Sequence, residues 1–307
     1  MTFPPARTLV CRVVAIVLGS SLLLSGCKAF LDSHYADSVA PRTGVLHLSG
    51  VAQSAEIRRN ALGMPLIESG NMHDALFALG YVHASDRLSQ MIGMRLLAEG
   101  RLAEMAGPGV LDIDRFMRAI NLKKSAGAMY QATSPQLKKA YEVYARGVNA
   151  YLYEYRDKLP MDLAESGYSP TYWTAEDSAL VFSLLNFGLS MNLQEEINAL
   201  VLAQKVDNAQ LAWLIPTYPD ESLPFDETEK LQGLALNGQI PGLSQLNRTV
   251  QQIAGLDMLG VAASNNWAIA PSFSKGGKSL LANDTHLPIA MPSAWNFVQI
   301  RTPKYQA

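Results

Sequence analysis

Val261-Ala-Ala-Ser-Asn-Asn-Trp-Ala-Ile-Ala270 is the stretch that decides how this chain is read. It stands where a long helix-patterned region gives way to a strand, a Gly-Gly turn and a second strand. Residues 265–270 and 278–283 alternate or run apolar around Ser274-Lys275-Gly276-Gly277, which predicts a hairpin with Ser264 at the edge where it begins. A serine there gains chemistry if the chain is cut in front of it. The new α-amine, with an ordinary pKa of about 7.7–8.0, and the hydroxyl then belong to one residue, so base and nucleophile need no second side chain. In the uncut chain the same nitrogen is an amide without basicity, so cutting would be activation. Taken alone, Ser264 reads as a serine that ends a loop; its surroundings decide.

Those surroundings are Ser264-Asn265-Asn266-Trp267, Gly276-Gly277-Lys278, Leu280-Leu281-Ala282-Asn283-Asp284, His286-Leu287 and Pro292-Ser293. Upstream, in order, come Gly63-Met64-Pro65, Gly80-Tyr81-Val82-His83-Ala84-Ser85-Asp86-Arg87-Leu88 and Gln90-Met91. Gly100-Arg101-Leu102-Ala103-Glu104 and Trp173-Thr174-Ala175-Glu176-Asp177-Ser178 follow. Their ordered succession, from about Val45 onward, resembles the penicillin acylases, a family of N-terminal-nucleophile amidohydrolases that includes β-lactam and acyl-homoserine-lactone acylases. The resemblance implies an α+β chain of the N-terminal-nucleophile hydrolase fold, an αββα sandwich. This chain would hold the mainly helical α-region and only the first hairpin of the β-chain. The segments implied are a lipoprotein signal peptide at 1–26, a lipid-anchored tether at 27–41, the α-region at 42–215, a spacer cut or removed on maturation at 216–263, and the start of the catalytic β-chain at 264–307.

The bulk numbers fit a globular protein: 49% hydrophobic residues, 17% charged, and a formal net charge of −2. Near-neutral charge without basic runs argues against a nucleic-acid partner. Both cysteines lie within the first 27 residues, so no disulfide framework is expected. There Arg7 and Arg12 precede an apolar run from Val13 to Leu24, shorter than the about 20 residues a membrane-spanning helix needs. The run ends in Leu24-Ser25-Gly26-Cys27, which resembles a bacterial lipobox. That implies cleavage before Cys27, lipid on Cys27, and a membrane partner reached through the anchor. A plain secretory signal is the alternative. The expected location is the bacterial cell envelope, facing the periplasm, with Lys28 after the cysteine favouring the outer over the inner membrane.

Between these ends, Val45–Leu48 and Glu56–Arg59 read as short strands and Leu66–Glu68 as a further extended piece. Apolar spacing predicts a helix from about Asp74 to Ala106, stopped by Gly107-Pro108; Gly80, Gly93 and Gly100 argue against an unbroken helix, and close packing or a break near Gly100 is expected. Ser134-Pro135 opens a second helix carrying Leu137, Tyr141, Tyr144, Val148, Tyr151, Leu152 and Tyr155 on one side, which reads as core. Thr174 caps a third helix, expected to run to about Lys205. Pro216 to Leu259 has linker composition with weak periodicity.

Ser264 is the expected nucleophile and, through its own amine, the base; Ala263–Ser264 is the expected cleavage site. Ala263 stands where Gly is common in the family and still permits an N-to-O acyl shift. The resemblance places His286 beside the nucleophile, its backbone N–H available to an oxyanion; a surface histidine in an Asp-Thr-His turn is the alternative. Thr285 stands where Pro is common in the family. Asn283, with Asn265, is expected to brace strand ends. Asn186, Leu189, Ser190 and Leu287 fall at acyl-pocket positions of the family. Their small or aliphatic character favours an aliphatic acyl group over phenylacetyl, unless they merely pack. Glu196 matches the α-chain ligand of a structural calcium; a solvated pair with Glu195 is the alternative, since calcium takes about six to eight oxygens. No organic cofactor is expected, and no His-Glu-x-x-His, Gly-x-Ser-x-Gly or nucleotide-binding Gly loop occurs. Asp86 and Arg87 read as a packing and ion-pair network.

The family's β-chain is far longer than residues 264–307 and carries the oxyanion asparagine and an arginine that cannot be assigned in these residues. A truncated form, whose partner is the missing β-chain portion, is therefore expected. The function implied is a self-cleaving precursor that hydrolyses the amide of an N-acylated small molecule, a β-lactam side chain or an acyl-homoserine lactone. The alternative is a non-catalytic lipoprotein remnant.

Overall fold

Alternating Glu56-Ile57-Arg58 and the run Leu66-Ile67 make β1 (Ala55–Arg59) and β2 (Pro65–Ser69), an antiparallel hairpin. Its turn is fixed by Asn60, whose Oδ1 accepts hydrogen bonds from the Leu62 and Met64 N–H groups, while Gly63 takes a φ of 78°. The computed structural model describes residues 36–190, 243–254, 263–286 and 290–306, with a few isolated positions that include Glu196. Cys27 and the expected signal segment, most of the 216–263 spacer and Leu287 lie outside the described residues. No helix among the described residues is long and apolar enough to cross a membrane.

The chain divides into two compact units. One holds the described residues up to Ser89, Val143–Trp173 and Gln299 onward; the other holds Gln90–Glu142 and Thr174–Val298. In the first, β2 pairs in parallel with β5 (Gln299–Thr302), and β5 pairs antiparallel with β6 (Tyr305–Gln306), in the order β1-β2-β5-β6. Two helices begin or end here. Helix α1 (Met72–Glu99) starts at Asn71, whose side chain accepts from the Asp74 N–H. The Asp74 carboxylate in turn accepts from the Ala52 and Gln53 N–H groups at 2.9 Å each, tying the preceding loop to the first turn. Burial pushes the Asp74 carboxyl up, but these bonds and one from Asn71 outweigh it and hold its pKa below the usual range.

Helix α5 (Pro135–Tyr155) opens at Ser134, whose Oγ accepts from the Leu137 N–H. Its expected tyrosine stripe is core where it lies in the first unit: Tyr151 stacks on Tyr155 at 4.6 Å and meets Tyr81 edge-on at 5.6 Å. Leu137, read as part of that stripe, is instead exposed. Two glycines let the helix backbones touch. A Cβ on Gly80 would stand 2.1 Å from the Tyr144 carbonyl oxygen, and one on Gly147 would stand 2.0 Å from that of Phe77. Gly80 therefore marks close packing, one of the two outcomes expected of the helix glycines. Gly100 marks the other: with φ at 66° it ends α1, and helix resumes only as α2 (Ala103–Ala106). Arg87 adds a kink inside α1 (φ −142°, ψ 16°).

In the second unit, α3 (Leu111–Ile120) supplies Asp114, whose buried carboxylate accepts from the Leu102 and Ala103 N–H groups and so caps α2. Helix α4 (Leu122–Ala132) packs on α7 (Ala175–Leu189) through Tyr130, Ala175 and Ala179; between them in sequence the short α6 (Met161–Ser166) belongs to the first unit. Thr174 caps α7 as expected, in a reciprocal box with Asp177, and Asp177 also pairs with the buried Arg95 at 3.3 Å.

Three expectations are corrected. Val45–Leu48 forms no strand: Val45 is exposed, and no strand among the described residues pairs with this stretch. Helix α7 ends at Leu189, where Ser190 leaves the helical conformation (φ −108°, ψ 7°), so the helix from Thr174 is not continuous to Lys205. And the stretch read as weakly periodic linker contains a helix, α8 (Leu243–Ala254), which buries Thr249, Val250 and Ile253 and lies against α3. Leu243, Leu246, Val250 and Ile253 recur at the three–four spacing of a helix face, masked by the surrounding Gln and Asn.

Candidate active site

The expected hairpin forms: β3 (Ala263–Ile269) pairs antiparallel with β4 (Leu280–His286) in a two-stranded sheet. A short 3-10 turn at Pro271–Phe273 leaves β3, and the Ser274 Oγ, donating to the Lys278 carbonyl and accepting from its N–H, closes the loop around Gly277 at φ 62°. With only two strands, each exposes an edge and both faces. Asn265, Asn266, Trp267 and Leu281 are exposed, and so is Ser264.

Register orders the expected site residues. Ala263 pairs with His286, Ser264 with Thr285, Asn265 with Asp284 and Asn266 with Asn283. The open end of one hairpin thus brings together Ala263, Ser264, Asn283 and His286. Directly opposite residues share a face, and faces alternate along each strand. Asn283 therefore falls on the face of Ser264, two pairs along the ladder. His286 is in register with Ala263, not with Ser264. The scissile bond expected between Ala263 and Ser264 lies within the paired ladder, so the serine that a cut would expose is held by β4.

Asn186, Leu189 and Ser190, the expected acyl-pocket positions, sit together at the end of α7 and are exposed. Glu196 has helical backbone and is exposed. Among the described residues no group of three or more His, Cys, Asp or Glu side chains is placed to hold a metal ion, and one exposed carboxylate does not make a calcium site. At Asp86, Arg59 grips the carboxylate through two bonds of 2.8 Å and also donates to the Gly63 carbonyl.

Counting in twos from Ser264 puts Asn266 on its face, whereas Asn265, beside Ser264 in sequence, is on the other.

The penicillin amidase family model matches residues 54–307. The chain belongs to the penicillin amidase family. It is similar to the acyl-homoserine lactone acylase QuiP of Pseudomonas aeruginosa, 68% identical over 293 residues that make 95% of this chain and 35% of that protein. The protein of the same name in Pseudomonas syringae pv. syringae is 61% identical over 307 residues, 100% of this chain and 37% of its own length. The penicillin G acylase of Escherichia coli is 26% identical over 255 residues, 75% of this chain and 30% of that one. Among solved structures, a thermostable penicillin G acylase from Alcaligenes faecalis matches 57% of this chain and 98% of its own at a TM-score of 0.48 and 26% identity. The chain spans about a third of the length of the curated relatives it matches. Its described residues are helical and stranded in the α+β manner.

Proposed function

We propose that this chain belongs to an amidohydrolase that is activated by a cut before Ser264 and hydrolyses the amide of acyl-homoserine lactones. One observation carries the substrate class: identity is 68% over 95% of the chain to a protein named as an acyl-homoserine lactone acylase, against 26% over 75% to a penicillin G acylase. Geometry supports the nucleophile, since Ser264 is exposed at the open end of the β3–β4 hairpin.

Ser264 Oγ attacks the substrate amide carbon while its own α-amine, through a water, takes the hydroxyl proton. The tetrahedral intermediate collapses, the C–N bond breaks, and the proton passes to the departing amine of the homoserine lactone. A second water, deprotonated by the same α-amine, hydrolyses the ester and releases the carboxylic acid. His286 offers its backbone N–H to the oxyanion and Asn283 braces the strand. Asn186, Leu189, Ser190 and Leu287 shape an acyl pocket suited to aliphatic chains. The reading also includes the αββα sandwich, a lipid on Cys27 and a periplasm-facing location; no step is routed through calcium.

The test is Ser264→Ala in the full-length protein, scored by gel for two chains and by release of homoserine lactone. Loss of both cutting and hydrolysis is expected. Two mature chains from the alanine variant would show that another protease does the cutting, and retained hydrolysis would remove Ser264 from the mechanism. Faster turnover of phenylacetyl amides than of medium-chain aliphatic ones would overturn the pocket assignment.

A further inference from the structure

Antiparallel register does more than locate Ser264; it sorts the polar residues around it into two faces. Ser264, Asn266, Asn283 and Thr285 occupy positions on one face, and Asn265 and Asp284 occupy the other. Asn266 and Asn283 are directly opposite one another and both exposed. Opposed residues bring their Cβ atoms to about 4.5–5.5 Å, close enough for two carboxamides to hydrogen-bond, and the diagonal reaches about 7–8 Å, one water away from Ser264.

A carboxamide has both a donor and an acceptor and does not titrate in the working range. Two that face each other present N–H donors and carbonyl acceptors side by side. That set can hold a water by donating to it and accepting from it, without competing with the α-amine for the proton. The geometry points to Asn266, acting with Asn283, as a positioning residue that orients the water between the Ser264 hydroxyl and its α-amine. This rests on the reading of Ser264 as nucleophile; it assigns the work to Asn266 and not to Asn265, its neighbour in the Ser-Asn-Asn string.

The experiment uses the full-length protein with Asn266→Ala, Asn283→Ala and the double variant. Each is checked for the cut before Ser264 and for its unfolding midpoint, then assayed for kcat and KM against pH on an acyl-homoserine lactone. Expected for each single variant is normal cutting, an unchanged midpoint, and a KM within about twofold of the parent. The kcat should fall between about tenfold and the roughly hundredfold that a misplacement of about 1 Å costs, with a displaced acidic limb of the pH profile. Because the pair works as a unit, the double variant should be no slower than the slower single one. Unchanged kcat, losses that multiply in the double variant, or a fall in midpoint that accounts for the lost activity with the pH profile unmoved would overturn the assignment. Should Ser264→Ala itself retain activity, the failure lies with the nucleophile and not with the asparagine pair.

Discussion

Replacing Gly147 by alanine tests the helix contact that organises the first unit. The added Cβ would lie 2.0 Å from the Phe77 carbonyl oxygen, 2.9 Å from its carbon and 3.0 Å from the Tyr81 nitrogen. All three are backbone atoms of α1, so no side chain can swing aside. Restoring a separation of about 3.5 Å requires the two helices to part by roughly 1.5 Å, and a gap of even about 0.5–1 Å forfeits a quarter to a half of the contact energy of the atoms lining it. Overpacking of this kind costs about 1–3 kcal/mol, sometimes more. Alanine recovers about 0.5–1 kcal/mol of helix propensity. A net loss of about 1–2 kcal/mol is expected. Gly127, within α4, has nothing within 4 Å of its added Cβ. There the same change should stabilise by about 0.5–1 kcal/mol. Urea and calorimetric unfolding of the two variants should therefore move in opposite directions, Gly147→Ala lowering Tm by several degrees at about 2–4 °C per kcal/mol. A Gly147→Ala protein as stable as its parent would refute the close-approach argument, since it would mean the helices are not held at this distance.

Two further outcomes follow from groups described above. Burial keeps the His83 imidazole neutral, lowering its pKa from 6.5 to about 4; its Nδ1 pairs with the Tyr144 hydroxyl at 3.0 Å. Because the folded pKa lies below the unfolded one, this site's stability is fully present above about pH 6.5 and is lost as pH falls toward 4, by an amount on the order of 3 kcal/mol. Unfolding measured from pH 7 to 4.5 should show a shallower decline in His83→Gln, and an unchanged slope would remove His83 as the source. At the other end of the argument, Cys27→Ala should shift the protein from the membrane to the soluble fraction; unaltered partition would exclude the lipid anchor inferred from Leu24-Ser25-Gly26-Cys27.

Where sequence reading worked, the signal was local. Thr174 announces its helix because the cap and Asp177 lie three residues apart, and Gly100 announces a break because glycine takes a φ of 66° without steric cost. The β3–β4 hairpin was legible for the same reason, with alternation and a Gly-Gly turn inside one short window. Pairing at a distance was not. Val45–Leu48 has strand composition and no ladder, whereas Gln299–Thr302 has little strand character and pairs because Leu66–Glu68 offers an edge. At the site, motif matching supplied Ser264 but ranks Asn265 and Asn266 by adjacency; only the period of two separates them.

The parallel pairing of β2 with β5 has a consequence for how the molecule is born and how it stays whole. Leu66 meets Gln299 and Glu68 meets Arg301, so a ribosome must have delivered every residue up to Arg301 before the first hairpin finds its third strand. The early hairpin waits with an open edge while everything between is synthesised. A nick between Ala263 and Ser264 would then leave β2 on one polypeptide and β5 on the other. The same hydrogen bonds that closed a long loop would become a clasp between two fragments. Their effective concentration would be that of partners already assembled, so dilution alone would separate them slowly, whereas fragments made apart would have to find each other without the tether.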